Sequence, residues 1–307
     1  MKLNFSNISV LVIGDFMLDK YTIGTSNRMS PEFPVPVILK EEEIDCPGGA
    51  GNVVLNLLSL GAHVSCMGFI GNDKEGVVLS EILKSKGANI DFLRPLDGHT
   101  TTLKNRIISN NIQQVRIDSE RKIKVPSKIF FKLLSNDTLN KFDVIILSDY
   151  NKGIIDKPLF DYKKHNVIVD PKKNDFSIYA NANIVTPNIY ELQATSKVKL
   201  KTKKLIVKHC NELILKYNIK HIVVKRGAKG MIVVSENNNY FDICAHNVSE
   251  PDVTGAGDTV ISVLSLMINF ANDIKMAAEV ANLAASIVVS KKGTSTISLK
   301  EISKGSD

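Results

Sequence analysis

The chain has 307 residues, of which 44% are hydrophobic and 23% charged, and this composition is typical of a soluble globular protein with a large buried core. No apolar run approaches the roughly 20 residues that cross a bilayer, and the chain start shows neither the apolar core nor the cleavage site of a signal peptide, so we expect a cytoplasmic protein that does not enter a membrane. The net charge of +7 comes from lysines spread along the chain without interleaved aromatic residues, which argues against a nucleic-acid partner, and four isolated cysteines argue against a zinc site or a disulfide framework.

The first half of the chain starts with a strand and then departs from a regular alternation. The apolar stretch 8–13 predicts a strand that ends at Gly14 and Asp15. A segment at about 20–44 contains prolines and alternates in places, which predicts short extended strands that leave the main body. A glycine-opened helix, a strand and a helix capped by Asp73 follow it.

The second half of the chain alternates between strands and helices. The predicted elements are, in chain order, strands at 142–150 and 165–172 with a helix between them, a helix at 201–218, a strand at 220–227, a hairpin at 230–243 and helices at about 255–269 and 273–289. This alternation indicates an α/β fold whose mostly parallel sheet is covered by helices on both faces. We expect a single domain over 1–307.

The stretch DVTGAGDT, at 252–259, stands directly before an apolar helix. The first amides of a helix lack intrahelical partners and carry partial positive charge, so they favour an anion such as a phosphate. Gly255 and Gly257 would let a phosphate approach the backbone. A carboxylate at Asp258 would repel that phosphate unless it accepts a proton from an attacking hydroxyl group. The stretch therefore favours phosphoryl transfer, but an ordinary N-cap with glycines for a tight turn explains it equally well.

Two common nucleotide-binding motifs do not fit this stretch. A Walker A loop needs GxxxxGK[ST], which is absent here. A Rossmann GxGxxG motif needs a third glycine where the chain has Val260, and it normally lies near the first strand.

Other polar residues stand where predicted strands end. Asn188 and Glu191 open a helix, where a carboxylate could hold Mg²⁺ through water beside a polyphosphate, and N-capping explains Asn188 as well. The stretch 225–230 is a basic turn that could meet phosphate oxygens or be a solvated hairpin. Asp15 and Asp19 follow the first strand, where carboxylates can bind sugar hydroxyl groups or cap a turn.

Seven motifs, taken in this order, resemble those of the ribokinase-like (PfkB) carbohydrate kinases. They are GDFMLD, PGGAGNVVLNL, LSDYNKG, VDPK, TPNIYE, VKRGAKG and DVTGAGDT, and they run through nearly the whole chain. The resemblance implies a three-layer α/β/α domain with a mostly parallel central sheet and a small β lid at about 20–44, to which 100–118 is a candidate addition. It also implies that ATP and Mg²⁺ are bound, and that the lid pairs two subunits in a homodimer.

Three segments resemble one branch of this family, the D-glycero-β-D-manno-heptose 7-phosphate kinases. They lie at 26–37, 147–153 and 291–298. The branch implies transfer of the ATP γ-phosphoryl group to the anomeric C1 hydroxyl of the heptose 7-phosphate, toward ADP-heptose and the lipopolysaccharide core. Many members carry a fused adenylyltransferase domain with an HxGH motif, which this sequence does not contain, so we expect a kinase domain alone. The alternatives are another sugar or nucleoside kinase of the family and a non-catalytic sugar-phosphate-binding protein.

The resemblance also assigns roles to individual residues. Asp258 would be the base, and the amides of Gly255, Ala256 and Gly257 would hold the developing charge. The residues expected to bind the nucleotide, with Mg²⁺ held through water at Glu191, are Asn188, Glu191, Lys225, Gly227, Gly230 and Asn282. The residues expected to bind the sugar phosphate are Asp19, Gly49, Asn52, Lys104, Arg106 and Lys152.

Two of the assignments leave alternatives open. Asp252 and Thr254 match positions that bind a monovalent cation in some relatives, which makes K⁺ a candidate cofactor. Lys104, Arg106, Arg116 and Lys152 are candidates for the remote phosphate of the sugar, and each is equally explained as a solvated surface base.

Overall fold

The structure is a computed structural model that describes residues 3–122, 133–236, 239–249, 251–291 and 293–305. The strands are, in chain order, β1 (Ser9–Gly14), β2 (Phe16–Met29), β3 (Pro36–Gly49), β4 (His63–Gly71), β5 (Asn89–Leu96), β6 (Thr102–Ser109), β7 (Ile112–Ser119), β8 (Val144–Ser148), β9 (Val167–Asp170), β10 (Ile184–Val185), β11 (His221–Lys225), β12 (Met231–Ser235) and β13 (Tyr240–Ile243). The helices are α1 (Ala50–Ser59), α2 (Lys74–Ser85), α3 (Asn136–Leu139), α4 (Ile189–Ala194), α5 (Lys203–Tyr217), α6 (Ala256–Ala271), α7 (Ile274–Val289) and α8 (Leu299–Gly305).

A nine-stranded sheet forms the centre of the molecule, in the order β13-β12-β11-β10-β9-β8-β1-β4-β5. The neighbouring pairs from β5 to β11 are parallel, whereas β12 pairs antiparallel with both β11 and β13. The carboxyl ends of the parallel strands therefore meet at one edge, where open α/β sheets bind their ligands.

Helices cover both faces of this sheet because its inner strands are apolar throughout. In β1, Val10 and Val12 belong to one buried cluster, whereas Leu11 and Ile13 belong to the other. The first cluster is shared with α1, α6 and α7, and the second with α5. Consecutive residues of a strand point to opposite faces, so these two clusters are the two faces of the sheet. The predicted three-layer arrangement with a mostly parallel sheet is confirmed.

A second sheet of four strands, in the order β3-β2-β6-β7, is the lid of the molecule. The β2–β3 and β6–β7 pairs are antiparallel hairpins, and parallel pairing of β2 with β6 joins them. The lid begins with a hairpin that starts one residue after β1 and ends directly before α1. Its first hairpin therefore spans 16–49, which is wider than the expected 20–44.

The helix expected between β8 and β9 is not formed. The segment contains only a short 3-10 helix, Tyr162–Lys164. Asn151 and Gly153 have positive φ angles, 58° and 110°, which a right-handed helix does not accommodate. Pro158 follows soon after and disfavours a helical conformation at the residue before it.

No helix in the described part of the chain is both long enough and apolar enough to cross a membrane.

Candidate active site

Helix α6 begins in the glycine-rich stretch, and a left-handed glycine shapes its start. Gly255 is the N-cap residue with φ 75°, and no side chain caps the helix. A Cβ atom at Gly255 would lie 2.8 Å from Nδ2 of Asn52, so a larger residue would displace that amide. The amide of Ala256 donates to the carbonyl of Val253 at 3.3 Å, so a phosphate would have to compete with this long hydrogen bond.

Asp258 lies in the first turn of α6 and is almost fully buried, with 6% of its surface exposed. Its Oδ2 accepts a hydrogen bond from Nδ2 of Asn52 at 2.7 Å, and its Oδ1 accepts one from the hydroxyl group of Tyr150 at 2.6 Å. Burial raises the pKa of Asp258 to about 6, although the bonds from Tyr150 and Asn52 lower it; Asp170 raises it further and Lys225 lowers it. At neutral pH this carboxylate is ionised and basic enough to accept a proton.

A cleft of about 630 Å³ opens at the start of α6. It is lined by all the residues that the sequence assigned to the nucleotide and to the helix start: Asn188, Glu191, Lys225, Gly227, Gly230, Asn282, Gly255, Ala256, Gly257 and Asp258. They come from β11, α4, α6, α7 and the turn between β11 and β12. Asn282 donates to the carbonyl oxygen of Cys244 at 2.8 Å, which fixes one wall of the cleft.

Asn188 and Glu191 form a capping box at the start of α4. Asn188 accepts hydrogen bonds from the amides of Tyr190 and Glu191, and Oε2 of Glu191 accepts one from the amide of Asn188 at 2.8 Å. The other oxygen of Glu191, Oε1, lies 3.0 Å from Nζ of Lys172. The N-cap alternative therefore describes Asn188 in this structure.

The carboxylate of Glu191 also fits a water-mediated contact with Mg²⁺. Each of its oxygens has one protein partner and retains a lone pair, and Mg²⁺ beside a polyphosphate takes most of its ligands from phosphate and water. In the described residues there is no group of three or more His, Cys, Asp and Glu side chains that could hold a metal ion alone.

Lys225 is held at the floor of the cleft by an ion pair. Its Nζ lies 2.5 Å from Oδ1 of Asp170, and both side chains are 15% exposed. The same Nζ is 3.3 Å from the position that a Cβ atom would take at Gly257. The ammonium group therefore adjoins the first turn of α6, where it could meet a phosphate.

Of the residues assigned to the sugar phosphate, Asp19, Gly49, Lys104 and Arg106 lie on lid strands, whereas Asn52 lies in α1 and Lys152 follows β8. Nη1 of Arg106 is 2.9 Å from Oδ1 of Asp19, whose surface is 5% exposed, so this carboxylate is paired. Nζ of Lys104 lies 5.9 Å from the ring centroid of Tyr150, within reach of a cation–π contact, and burial lowers the pKa of Lys104. Lys152 pairs with Glu120 at 2.6 Å.

The remaining assigned residues have structural partners. Gly49 has φ 56°, and a Cβ atom there would lie 2.5 Å from the carbonyl oxygen of Asp15. Oδ1 of Asp252 accepts from the amide of Thr254 at 3.0 Å, and its Oδ2 accepts from the amide of Gly293 at 2.8 Å. Asp252 therefore joins the loop before α6 to the loop after α7.

Sequence reasoning missed two residues at the centre of the site, Tyr150 and Asp170. Both stand at the carboxyl ends of central strands, after β8 and in β9, and both belong to motifs that the sequence singled out. Their position at the sheet edge was the available signal. Asp15, by contrast, accepts hydrogen bonds from the amides of Tyr150, Lys152 and Ile154 and caps that loop.

The geometry places one ionised carboxylate between a cleft with phosphate-compatible groups and a lid with basic residues. Such a carboxylate can take a proton from a hydroxyl group on the lid side while a phosphoryl group arrives from the cleft side.

Comparisons with known proteins give relatives along the whole chain. The family model described as pfkB family carbohydrate kinase matches residues 7–301. The bifunctional protein HldE of Shewanella sp. (strain MR-4) is 39% identical over 303 residues, covering 97% of this chain and 63% of the relative. HldE of Coxiella burnetii (strain Dugway 5J108-111) is 36% identical with the same coverage. This chain therefore spans less than two thirds of the length of these relatives.

Solved structures with lower identity share the fold. A ribokinase from Thermotoga maritima has a TM-score of 0.74 at 21% identity, covering 97% of this chain and 98% of its own. Arabidopsis thaliana ribokinase complexed with ribose and ATP has a TM-score of 0.73 at 18% identity, with coverage of 97% and 98%. Escherichia coli phosphofructokinase-2 in complex with potassium has a TM-score of 0.75 at 17% identity, with 97% of each chain covered. The ribokinase-like fold predicted from the sequence is confirmed.

Proposed function

The chain belongs to the pfkB family of carbohydrate kinases, and on that premise we propose that it transfers the γ-phosphoryl group of ATP to the C1 hydroxyl group of D-glycero-D-manno-heptose 7-phosphate. The observation that carries the proposal is the buried carboxylate of Asp258 in the first turn of α6, with the cleft on one side and the lid on the other. The product would be the 1,7-bisphosphate, which leads toward ADP-heptose and the lipopolysaccharide core.

The proposed reaction is an in-line displacement at phosphorus. The C1 oxygen of the sugar attacks the γ-phosphorus, the bond from this phosphorus to the β,γ-bridging oxygen breaks, and ADP leaves with that electron pair. Asp258 accepts the proton of the C1 hydroxyl group. The amides at the start of α6 and the ammonium group of Lys225 stabilise the charge on the transferred group.

Magnesium would enter with the nucleotide. Bound to the phosphates, it would neutralise part of their charge, and Glu191 would hold it through water. Asp252 and Thr254 remain our candidates for a K⁺ site because the loop they form lies directly before Gly255. A structure of similar fold, phosphofructokinase-2 of E. coli, was solved in complex with potassium, which supports testing this cation.

Three observations support a heptose phosphate as the acceptor. Two of the segments that resemble the heptose branch contain residues beside the site: Tyr150 of 147–153 donates to Asp258, and Gly293 of 291–298 donates to Asp252. Lys104 supplies positive charge from the lid, as a remote phosphate requires, and Lys152, near enough to lower the pKa of Lys104, would exchange its ion pair with Glu120 for that phosphate. The curated relatives are proteins named HldE.

We also propose that a second copy of the chain covers the lid. Large apolar side chains are exposed on the lid and the loop between its first two strands: Met29, Phe33, Val35, Leu39, Ile44, Ile112, Val115 and Ile117. Such a collection is typical of an interaction surface.

A substrate panel tests the proposed reaction. Heptose 7-phosphate, free heptose, ribose, fructose and their phosphates are each incubated with ATP and Mg²⁺, and release of ADP is measured. We expect release only with heptose 7-phosphate, and phosphorus NMR should place the new phosphate on C1. Turnover of another sugar would support the alternative kinase, and a thermal shift with the heptose phosphate without ADP release would support a binding protein.

The variant Asp258→Asn tests the base. We expect kcat to fall by roughly 10²- to 10⁴-fold, because an amide cannot accept the proton, while calorimetric binding of ATP is retained. Normal turnover in this variant would remove Asp258 from the mechanism.

A further inference from the structure

Tyr150 makes the shortest contact of the Asp258 carboxylate. Its hydroxyl group donates to Oδ1 at 2.6 Å, and Asn52 donates to Oδ2 at 2.7 Å. Both oxygens are therefore fixed, and each retains a lone pair for the hydroxyl group of a substrate. A carboxylate held at both ends cannot rotate freely in its pocket, so the direction in which it accepts a proton is set by these two donors.

Besides its contact with Asp258, Tyr150 makes two further contacts. Its amide donates to Oδ2 of Asp15 at 2.8 Å, and its ring faces Nζ of Lys104 from the lid. Burial, together with the negative charges of Asp258, Asp170 and Asp19, raises the pKa of Tyr150 well above its usual value. The phenol therefore stays protonated and acts as a donor at every pH at which a kinase works.

We infer that Tyr150 is a positioning residue of the reaction proposed above, whose hydroxyl group fixes Oδ1 of Asp258 and keeps this carboxylate in its proton-accepting form. This inference rests on the proposed function. Tyr150 does not take the proton, and its effect on the rate passes through the carboxylate.

The sign of this effect follows from the groups that surround Asp258. The bonds from Tyr150 and Asn52 stabilise the ionised form, as does the charge of Lys225, whereas burial and the charge of Asp170 oppose it. Without the hydroxyl group of Tyr150, burial is less compensated and the pKa of Asp258 rises above 6. More of the base is then protonated near neutral pH.

The experiment follows the titration of Asp258 directly. The protein is labelled with ¹³C at the aspartate carboxyl carbons, and the signal of Asp258 is identified by its loss in Asp258→Asn. In Tyr150→Phe we expect the midpoint to move up by roughly one pH unit. Placing 3-fluorotyrosine at position 150 keeps the shape of the ring but makes its hydroxyl group a stronger donor, so the Asp258 midpoint should move down. This second variant tests the inference even if Tyr150→Phe does not fold.

A control variant, Tyr162→Phe, and the pH dependence of kcat/KM distinguish the possible results of this experiment. Tyr162 is also buried, and its hydroxyl group accepts from the amide of Leu159, so Tyr162→Phe removes a buried hydroxyl group without changing the Asp258 midpoint. The acidic limb of kcat/KM should move with the midpoint in Tyr150→Phe. An unchanged midpoint in both Tyr150 variants overturns the inference. A wild-type protein that releases no ADP with any sugar phosphate overturns the proposed function instead, and the NMR midpoint then shows only whether Tyr150 keeps the Asp258 carboxylate ionised.

Discussion

The buried, ionised carboxylate of Asp258 lowers the stability of the folded protein at neutral pH. Its carboxyl group has a pKa raised from 3.8 to about 6 in the folded state, chiefly because it is buried. A raised pKa means that the folded state binds the proton more tightly than the unfolded chain does. The corresponding stabilisation is complete below about pH 4 and is lost as the pH rises through about 6.

The variant Asp258→Asn should therefore gain stability relative to wild type as the pH rises. Because an amide does not ionise, we expect the difference in unfolding free energy between variant and wild type to grow by about 3 kcal/mol from about pH 4 to about pH 8. Urea unfolding at both pH values measures it.

An exposed aspartate supplies a control of opposite sign. The hydrogen bonds from Ser177 lower the pKa of Asp175, so its contribution to stability is present at neutral pH and is lost as the pH falls. In Asp175→Asn the difference from wild type should move toward destabilisation as the pH rises. A difference for Asp258→Asn that is the same at both pH values would contradict the raised pKa.

Single residues were predictable where a local motif implies a reaction. A carboxylate directly after Gly-Ala-Gly at a helix start is unfavourable beside a phosphate, so Asp258 could be assigned a role from sequence. No local feature of the sequence marked Tyr150 in this way, because the residue that it contacts, Asp258, lies 108 positions further along the chain. Nothing in the local sequence specifies a contact of that range.

The start of α6 depends on a glycine at position 255. Its φ of 75° belongs to the left-handed region, and a Cβ atom there would approach Nδ2 of Asn52 at 2.8 Å. Displacing the Asn52 side chain would be unfavourable, because it would break the hydrogen bond that Asn52 donates to Asp258.

Gly255→Ala should therefore damage both stability and rate. We expect a loss of about 2 kcal/mol from backbone strain and crowding, together with a large fall in kcat, as Asn52 moves away from the base. Chemical denaturation and ADP release measure the two effects.

Gly61 is the matched control for this substitution. It has φ 89°, and an added Cβ atom would meet nothing within 4 Å. Gly61→Ala should cost about 1 kcal/mol and leave kcat unchanged. An equal kcat for Gly255→Ala and Gly61→Ala would show that the position of the Asn52 side chain does not depend on Gly255.

Helices and strands with a strong pattern were predicted well, whereas irregular connections were not. The helices α5, α6 and α7 lie close to their predicted ranges because each carries a long apolar face. The segment between β8 and β9 was predicted as a helix from the alternation of the fold alone. Its conformation is set by the backbone of Asn151 and Gly153 and by the hydrogen bonds to Asp15, which periodicity does not report.

The lid gives a prediction at the scale of the whole molecule. Phe33 and Val115 are 72% and 47% exposed, and burying such side chains between two copies would be favourable. The substitutions Phe33→Asp and Val115→Asp should therefore convert a dimer to a monomer in light scattering.

The control for this surface is Leu215 on α5, which is 83% exposed and lies outside the lid. Leu215→Asp should leave the molar mass unchanged. A wild-type monomer, or lid variants that remain dimers, would contradict pairing through the lid.

The overall fold was predictable because its layers repeat a simple alternation, but the assembly of the lid was not. The sequence indicated strands near 20–44 and gave 100–118 as a candidate addition to the lid. The parallel pairing of β2 with β6 that joins them depends on tertiary packing, and no turn residue specifies it.

This parallel pairing has a consequence for biosynthesis. Ribosomes deliver β2 early and β6 much later, after β4, α2 and β5 have emerged. Throughout that interval one edge of β2 has no neighbour to pair with, in a segment where aggregation is a hazard. A truncation before Thr102 should thus leave this edge of the nascent hairpin open to chaperones, and the lid can be completed only once the chain has been translated as far as Ser119.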